Sequence, residues 1–473
     1  MKLVSRYLLS AAVGVSFVAS PVFSQDSQTF LVTNTQDSGD GSLRSALAAA
    51  SASDGVARVL ITVRGDIKIA SGLSYDGTAP LDLAGMGNLI RTDANETLLS
   101  VPNGADLSIN GLSFQGPGGF SVENRGDLNG SAGKGITMNV PSGATETIEV
   151  DLTDVKVMDV AGHGIHLSDC SLADACGGGS GGGGDGSAAG FDITLTNVSV
   201  TNVGHGSFDG DGFRADERGA GSITFAASGS EFIGVGADGV ELDEGDAGDV
   251  IAVVKNTVFA SNGNYCDPAV MAAFLPDAPE GEFEDSVMAL DAIPAPVTGS
   301  PDDSCIEREV SLYDSGYVEE YEFGLDLDDG IDLDEAGEGS IISDMFNAVI
   351  NDNRDEGVDW DEEGPGDIIA TFVSTQAYLN TDDGYKMSEA DDGNVIGVVE
   401  DALASANGGK GIIFEEENEG DVFVTVNATA TSKNDDSDKT GLEVVQEDEG
   451  TGTLEVTASN IEDGVDAEGV SVK

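Results

Sequence analysis

The sequence predicts an all-β solenoid, and three observations lead to that prediction. Segments of the 473-residue chain repeat at a fixed interval, each repeat alternates apolar and polar residues, and Asp, Asn and Gly separate the alternating runs. Alternation with a period of two and β-branched residues predict strands, and the polar residues between them predict turns. Repeats that hold two or three short strands are typical of stacked coils.

The repeat is clearest in the spacing of one glycine. It precedes "VELDEGDAG", "IDLDEAGEG" and "VDWDEEGPG", and most successive copies lie 27 residues apart, as 239 − 212 and 357 − 330 show. A second glycine follows nine residues later, and an asparagine repeats at the same interval. The first glycines are Gly212, Gly239, Gly330, Gly357, Gly384 and Gly411, and the asparagines are Asn353, Asn380, Asn407 and Asn434.

Two interruptions of the repeat predict insertions. The step from Gly239 to Gly330 is 91 residues, and 91 − 27 leaves 64 outside the repeat, most of which we assign to a predicted insertion over 265–324. A Gly-rich insertion is predicted over 171–188. Of the three formally open pairings of the 4 cysteines, the repeat favours Cys170 with Cys176 and Cys266 with Cys305, in an oxidising compartment.

The N-terminal residues predict export. Lys2 and Arg6, an apolar run from Leu8 to about Ala19, and Ser24 ahead of Gln25 have the order of a secretory signal peptide, residues 1–24. The remaining chain is then secreted, to the extracellular space, the cell surface or the periplasm. No later run approaches about eighteen apolar residues, so we expect no membrane span after signal removal.

A unit of 27 residues with two or three strands predicts a right-handed parallel β-helix, as a single domain over 25–473. The chain resembles the right-handed parallel β-helix superfamily that includes pectate-lyase-like enzymes. The stretch "FLVTNTQDSGDGSLRSALAAASA" is similar to the N-terminal segment of secreted bacterial β-helix proteins, which implies a capping segment over 25–56. Ser42 is placed to cap a helix that carries Leu43, Ala46, Leu47 and Ala50 on one face.

The charge of the chain restricts its partners. Lys+Arg 20 against Asp+Glu 87 give a net charge of -67, which repels nucleic acid and favours cations. Stacking turns the acids of each repeat into columns at the turn edges. The predicted metal ligands are Asp211, Asp216, Glu217, Asp238, Asp243, Glu244, Asp329, Asp334, Glu335, Asp361 and Glu362. Two interpretations stay open: Ca²⁺ bound between adjacent coils, or bulk cations that screen a salt-adapted surface.

Catalytic candidates are few because the chain has 3 histidines. His163, His166 and His205 lie in adjoining repeats, with Arg214 and Arg218 on the next rung. Either they serve proton transfer or zinc binding, or they are polar turn residues.

Two functions follow from these patterns. The first is a non-catalytic structural or adhesive protein at the cell surface, with Ca²⁺ on its acidic columns and the 265–324 insertion as the contact for a polysaccharide or a surface protein. The alternative, which the superfamily resemblance implies, is a polysaccharide lyase, epimerase or glycoside hydrolase acting on extracellular polysaccharide.

Overall fold

The computed structural model describes residues 27–126, 132–170, 186–434, 440–447 and 450–473. The predicted signal peptide, residues 1–24, lies outside the described residues. So do most of the Gly-rich insertion and the predicted pairing of Cys170 with Cys176, since residues 171–185 are not described.

Each regular coil contributes three strands, as Phe213–Glu217, Ile223–Ser228 and Glu231–Ile233 illustrate. Strands of successive coils pair in parallel, so that Phe213 stands beside Val240, 27 residues later. The predicted all-β parallel solenoid with coils of about 27 residues is therefore confirmed.

The strands stack into three parallel ladders, two of which share Leu81–Arg91 and Leu107–Gln115 and so form one 24-stranded sheet over the described residues. The long ladder comprises Gln28–Val32, Ala57–Ile61, Leu81–Arg91, Leu107–Gln115, Ile148–Thr153, Phe191–Thr196, Ile223–Ser228, Val250–Lys255, Ile341–Phe346, Asp367–Val373, Asn394–Glu400, Asp421–Asn427, Thr451–Thr457 and Val470–Val472. The short ladder comprises Ile67–Lys68, Lys156–Met158, Ser199–Thr201, Glu231–Ile233, Val258–Ala260, Val349–Asn351, Gln376–Tyr378, Leu403–Ser405, Ala430–Ser432 and Asn460–Ile461.

The third stack, called here the polar ladder, has 12 strands in the part of the chain that the structure covers. It comprises Leu73–Ser74, Leu99–Val101, Ile136–Asn139, Ile165–Ser168, Phe213–Glu217, Val240–Glu244, Ile331–Glu335, Val358–Glu362, Lys386–Glu389, Ile413–Glu416, Leu442–Gln446 and Val465–Glu468.

Corners and coil contacts explain the repeated residues. Single residues with positive φ, such as Asn256 at 50° and Asp352 at 58°, turn the chain at the two ends of the short strand. A Cβ on Gly239 would collide with the carbonyl oxygen of Gly330 in the next coil, so this position accepts only glycine. The asparagines form a buried column in which each amide bonds to the next, as Asn353 does to Asn380 Oδ1 at 2.9 Å.

The interior is one apolar column closed at its N-terminal end by a helix. Helix Leu43–Ala50 is capped by Ser42, which accepts the N–H of Ser45 at 3.2 Å, and buries the predicted face of Leu43, Ala46, Leu47 and Ala50. This confirms the N-terminal helix. Further along, the only tryptophan, Trp360, stacks on Phe372 with ring centroids 5.0 Å apart. Among the described helices, none is long and apolar enough to cross a membrane.

The insertion folds as a small unit of its own. It contains α-helix Pro268–Met271, 3₁₀ turns at Ala272–Phe274, Leu290–Ala292 and Asp303–Cys305, and an antiparallel sheet of Glu280–Glu282, Met288–Ala289, Glu309–Leu312 and Tyr317–Glu322. The predicted disulfide between Cys266 and Cys305 is present. Tyr265 and Met271 pack with this disulfide against Val122, so the insertion rests on the loop that follows the early coils.

Candidate functional site

The polar ladder has one apolar and one charged face. Val240 and Leu242 enter the core, and the alternate residues of the same strand point away from it. Register then aligns three columns of polar side chains. The first outer column is His166, Arg214, Glu241, Asp332, Asp359 and Lys386, the second outer column is Ser168, Asp216, Asp243, Asp334, Asp361 and Ser388, and the glutamate column is Glu217, Glu244, Glu335, Glu362, Glu389 and Glu416.

A fourth column precedes the repeated glycine. The carbonyl of each member accepts an N–H from the preceding coil, which belongs to Leu98 for Lys134 and to the repeated glycine for the others, as His163 accepts from Gly135 at 3.1 Å. This pre-glycine column is Lys134, His163, Asp211, Asp238, Asp329, Glu356, Asp383 and Lys410. Like the first outer column, it is acidic in its middle and basic toward both ends.

At the N-terminal end of these columns, Lys134, His166 and Asp216 form a continuous chain. Lys134 Nζ lies 2.8 Å from His166 Nδ1, and His166 Nε2 lies 2.7 Å from Asp216 Oδ2. Burial, and then the neighbouring His163 and Lys134, lower the pKa of His166 to about 3, so its imidazole is neutral at ordinary pH. Its proton therefore sits on Nε2, facing the carboxylate, and Nδ1 accepts from the Lys134 ammonium.

The second histidine packs against the first. The rings of His163 and His166 have centroids 4.4 Å apart, and His163 Nδ1 lies 3.1 Å from Asp211 Oδ2. Both rings are fully buried, whereas Lys134 and Arg214 each keep 7% of their surface exposed. The three-dimensional fold thus brings together two of the three predicted histidines. His205 instead donates to the carbonyl of Gly234 at 2.9 Å.

Arg214 holds the carboxylates of this region in place. Its guanidinium lies 2.7 Å from Asp216, 2.9 Å from Asp209 and 2.7 Å from Glu241. Burial alone would raise the pKa of Asp216, but Arg214 and His166 together hold it well below the usual range. Arg218 pairs with Asp243. Three predicted metal ligands, Asp211, Asp216 and Asp243, are therefore already in contact with basic side chains of the protein.

Several acids also converge on one another, some of them in addition to contacts with Arg214 or Lys386. Among the described residues, four groups of three carboxylates have oxygens within 4.8 Å of one another, close enough to hold a metal ion. Asp211, Asp329 and Asp334 of the predicted set take part. The groups are Asp209, Asp211 and Glu241; Glu241, Asp332 and Asp334; Asp329, Glu356 and Asp359; and Asp355, Glu356 and Asp382.

The glutamate column differs from the prediction. Its members were expected at solvated turn edges, but all six are fully buried at the ends of their strands. Five of these carboxyl groups, all but that of Glu335, accept a backbone N–H of their own turn, as Glu362 does from Gly366 at 3.2 Å. Burial, followed by contact with the carboxyl groups of Glu335 and Glu389, raises the pKa of Glu362 to about 10. Burial raises the pKa of Glu217 to about 8 and that of Glu244 to about 10, so these two groups and Glu362 hold protons at neutral pH, which a bound cation would have to displace. The role of the glutamates as metal ligands stays a prediction.

Comparison with known proteins gives limited similarity. No protein-family model and no curated protein matches the chain. Among solved structures, the A-module of Azotobacter vinelandii mannuronan C-5 epimerase AlgE4 is similar at 13% identity and a TM-score of 0.38, covering 93% of this chain and 95% of that one. The A-module of mannuronan C-5 epimerase AlgE6 from the same organism has 10% identity and a TM-score of 0.38, with 93% and 97% covered.

Sequence reasoning missed several residues of the site. Lys134 was overlooked, although it occupies the same repeat position as His163 and Asp211, immediately before the glycine. Glu241, Asp332 and Asp359 are not among the predicted ligands, which lie two and three residues later in each repeat. The strand alternation carries the signal that would have found them, since each stands between two core residues.

Proposed function

We propose that the chain is a carbohydrate-active enzyme whose reaction is a proton transfer at the Lys134–His166–Asp216 chain. The continuous contact of these three side chains supports this proposal most directly. A base or acid oriented by a second group, which is oriented in turn by a third, is the usual arrangement of proton-transfer sites. We therefore favour a carbohydrate-active enzyme over a non-catalytic structural or adhesive protein.

The substrate class follows from the chemistry that the site would serve. Lyase and epimerase reactions on uronate polysaccharides both begin by removing a proton from the ring carbon that bears the carboxylate. Lys134 is the group that exchanges this proton, because it retains exposed surface: its ammonium first releases a proton to solvent, and the free amine then takes the proton from the ring carbon and becomes an ammonium again. His166 and Asp216 are positioning residues. Before and after the transfer, the ammonium of Lys134 supplies positive charge beside an anionic sugar in a chain that is otherwise strongly acidic.

Ca²⁺ is the ion that we propose for the acidic groups, because carboxylate oxygens from adjacent coils suit a hard cation with flexible coordination. An extracellular polysaccharide is the proposed partner, and export from the cell is part of the same proposal. The contact of the 265–324 insertion with a further partner stays a prediction.

The test is solvent-proton exchange measured by NMR. The protein is incubated in D₂O with a panel of uronate polysaccharides, and deuterium at the ring carbon beside the carboxylate is followed together with formation of unsaturated ends. We expect exchange in the unmodified chain and a loss of at least about 100-fold in Lys134→Ala. Lys156→Ala, an exposed lysine on the short ladder, is the matched control and should keep full exchange.

His166→Gln separates positioning from simple structural support. It should lower the rate and shift its pH dependence, since Lys134 loses its imidazole neighbour, while thermal unfolding stays cooperative. A folded protein that exchanges no proton on any substrate of the panel would contradict the proposal and leave the non-catalytic reading in its place.

A further inference from the structure

Asp329 carries a buried carboxylate that no side chain among the described residues satisfies. The residue is 8% exposed, its Oδ1 is buried without a hydrogen-bond partner, and no ion pair to it occurs among the described residues. Leaving a buried carboxylate without compensation costs free energy. Its surroundings increase that cost, because burial and the charges of Glu356 and Asp238 raise the pKa of Asp329 well above its usual value.

Two further carboxylates face the same point. Oxygens of Asp329, Glu356 and Asp359 all lie within 4.8 Å of one another. Ca²⁺ binds oxygens at about 2.3–2.6 Å, so ligands across the ion stand up to about 5 Å apart, which this trio matches. The two carboxylate oxygens of Asp359 have different contacts. Oδ2 accepts a hydrogen bond from Lys386 at 2.8 Å, and Oδ1 is buried without a hydrogen-bond partner among the described residues.

The basic residue nearby does not neutralise the group. Lys386 Nζ contacts Asp359 at 2.8 Å and lies 3.7 Å from Glu356 and 3.9 Å from Asp361, so one positive charge serves three carboxylates. Asp329 has no such contact. The neighbouring strand Ile331–Glu335 adds Asp332 and Asp334 and contributes no basic side chain. The middle of the charged face therefore gathers carboxyl groups for which the described residues supply no matching positive charge.

The location of Asp329 gives the site a structural role. Asp329 ends the return segment of the insertion, just before Gly330, the repeated glycine that leads into strand Ile331–Glu335. Backbone bonds already join this segment to the following coil, since Asp355 N–H donates to Asp328 O at 3.1 Å and Gly330 N–H to Glu356 O at 3.2 Å. An ion between Asp329 and Glu356 would reinforce that same junction.

We propose that Asp329, Glu356 and Asp359 bind one Ca²⁺ ion, which fastens the return end of the insertion to the next coil. The site lies two to three strands along the polar ladder from Arg214, or about 10–14 Å at the usual strand spacing. It is therefore separate from the Lys134–His166–Asp216 chain and does not depend on the proposed catalysis.

Calorimetric titration of the full chain with CaCl₂, in a fixed NaCl background at pH 8, tests the proposal. We expect saturable binding whose affinity falls at least about tenfold in Asp329→Asn and in Glu356→Gln, because each removes one ionic ligand. Asp192→Asn is the matched control: it removes the same charge from an exposed position on the long ladder and should bind as the unmodified chain does.

Limited proteolysis supplies a second readout that requires no activity. Ca²⁺ should slow cleavage within 265–324 in the unmodified chain and in Asp192→Asn, and should leave the cleavage rate of Asp329→Asn unchanged. If Asp329→Asn fails to fold, Asp359→Asn takes its place. Ca²⁺ binding of equal strength in Asp329→Asn and Glu356→Gln, or equal binding of Mg²⁺, would overturn the assignment.

Discussion

The glutamate column makes the stability of this protein fall as the pH rises. Glu389 is fully buried between Glu362 and Glu416 in the stacked coils. Burial is the main cause that raises its pKa from 4.5 to about 7, and Glu416 adds to it, against the opposing hydrogen bonds from Glu362 and the N–H of Asp391. We predict that Glu389→Gln makes the protein less sensitive to alkaline pH.

The sign follows from linkage. The folded-state pKa of Glu389 lies above its unfolded-state value, so its contribution to stability is complete below about pH 4.5 and is lost as the pH rises through 7. At 1.36 kcal/mol per pKa unit, a shift from 4.5 to about 7 is about 3 kcal/mol. Glutamine carries no ionisable proton. The free energy of unfolding of the variant, relative to that of the unmodified chain, should therefore rise by about 3 kcal/mol between pH 4.5 and pH 8.

The chain itself shows that glutamine fits this column. Gln446 follows Glu416 in register and donates from Nε2 to Glu416 Oε2 at 2.6 Å. A glutamine at 389 can therefore offer an N–H to a neighbouring carboxyl group at any pH. This is why the substitution should relieve repulsion without opening a cavity.

The assay is denaturant unfolding at intervals from pH 4.5 to pH 8, in buffers of constant ionic strength. At each pH, the free energy of unfolding of the variant is compared with that of the unmodified chain. A pH-independent cost of the substitution is the same at every pH, so the change of this difference with pH reports the titration alone. Asp392→Asn is the control, because Asp392 is exposed and three residues away, and its curve should run parallel to that of the unmodified chain. Parallel curves for Glu389→Gln as well would refute the reasoning.

Three other variants test features of the coil and of the insertion. Leu379 has a φ of 63° and is 55% exposed, so Leu379→Asn should raise the free energy of unfolding by about 1 kcal/mol, as denaturant melts would show. Asn380→Ala leaves the amide of Asn353 unpaired in the interior and should lower that free energy by about 1–3 kcal/mol in the same melts. Replacing both Cys266 and Cys305 by Ser opens a 39-residue link, worth up to about 4 kcal/mol, and should make the insertion the first segment cut in limited proteolysis.

The sequence predicted the architecture well because the solenoid repeats its constraints. A glycine beside the carbonyl of the next coil is required once per coil, so Gly239 and Gly330 reveal the period directly. The same holds for the asparagine column, where each side chain bonds to its own repeat equivalent. The disulfide of the insertion was predictable for a related reason, since Cys266 and Cys305 both fall outside the repeat.

The site was predicted less completely because the repeat period gives the spacing of residues along the chain and does not show what surrounds each side chain. Adjacent acids of one repeat unit, such as Asp361 and Glu362, have the same period and chemistry, yet one faces outward near Lys386 and the other is fully buried. The contact of Lys134 with His166 joins residues 32 apart, in coils whose repeat had become faint. Only the register of the folded strands brings these two side chains together.

The columns of carboxyl groups reduce the repulsion between stacked like charges in different ways. Like charges repeated about 4.8 Å apart repel, and a parallel solenoid cannot change that spacing. In the glutamate column, protons reduce the charge, as the pKa of about 10 at Glu362 indicates. In the first outer column, Arg214 contacts Glu241 and Lys386 contacts Asp359, and Asp332 stands between these two pairs. Lower pH favours the protonated interior column, whereas higher pH ionises the outer carboxylates and strengthens their demand for a cation. When Ca²⁺ is present, a rise in pH should therefore lower the stability that the buried carboxyl groups contribute and raise the stability that Ca²⁺ binding at the outer carboxylates contributes. Unfolding curves measured over a range of pH can separate the two contributions.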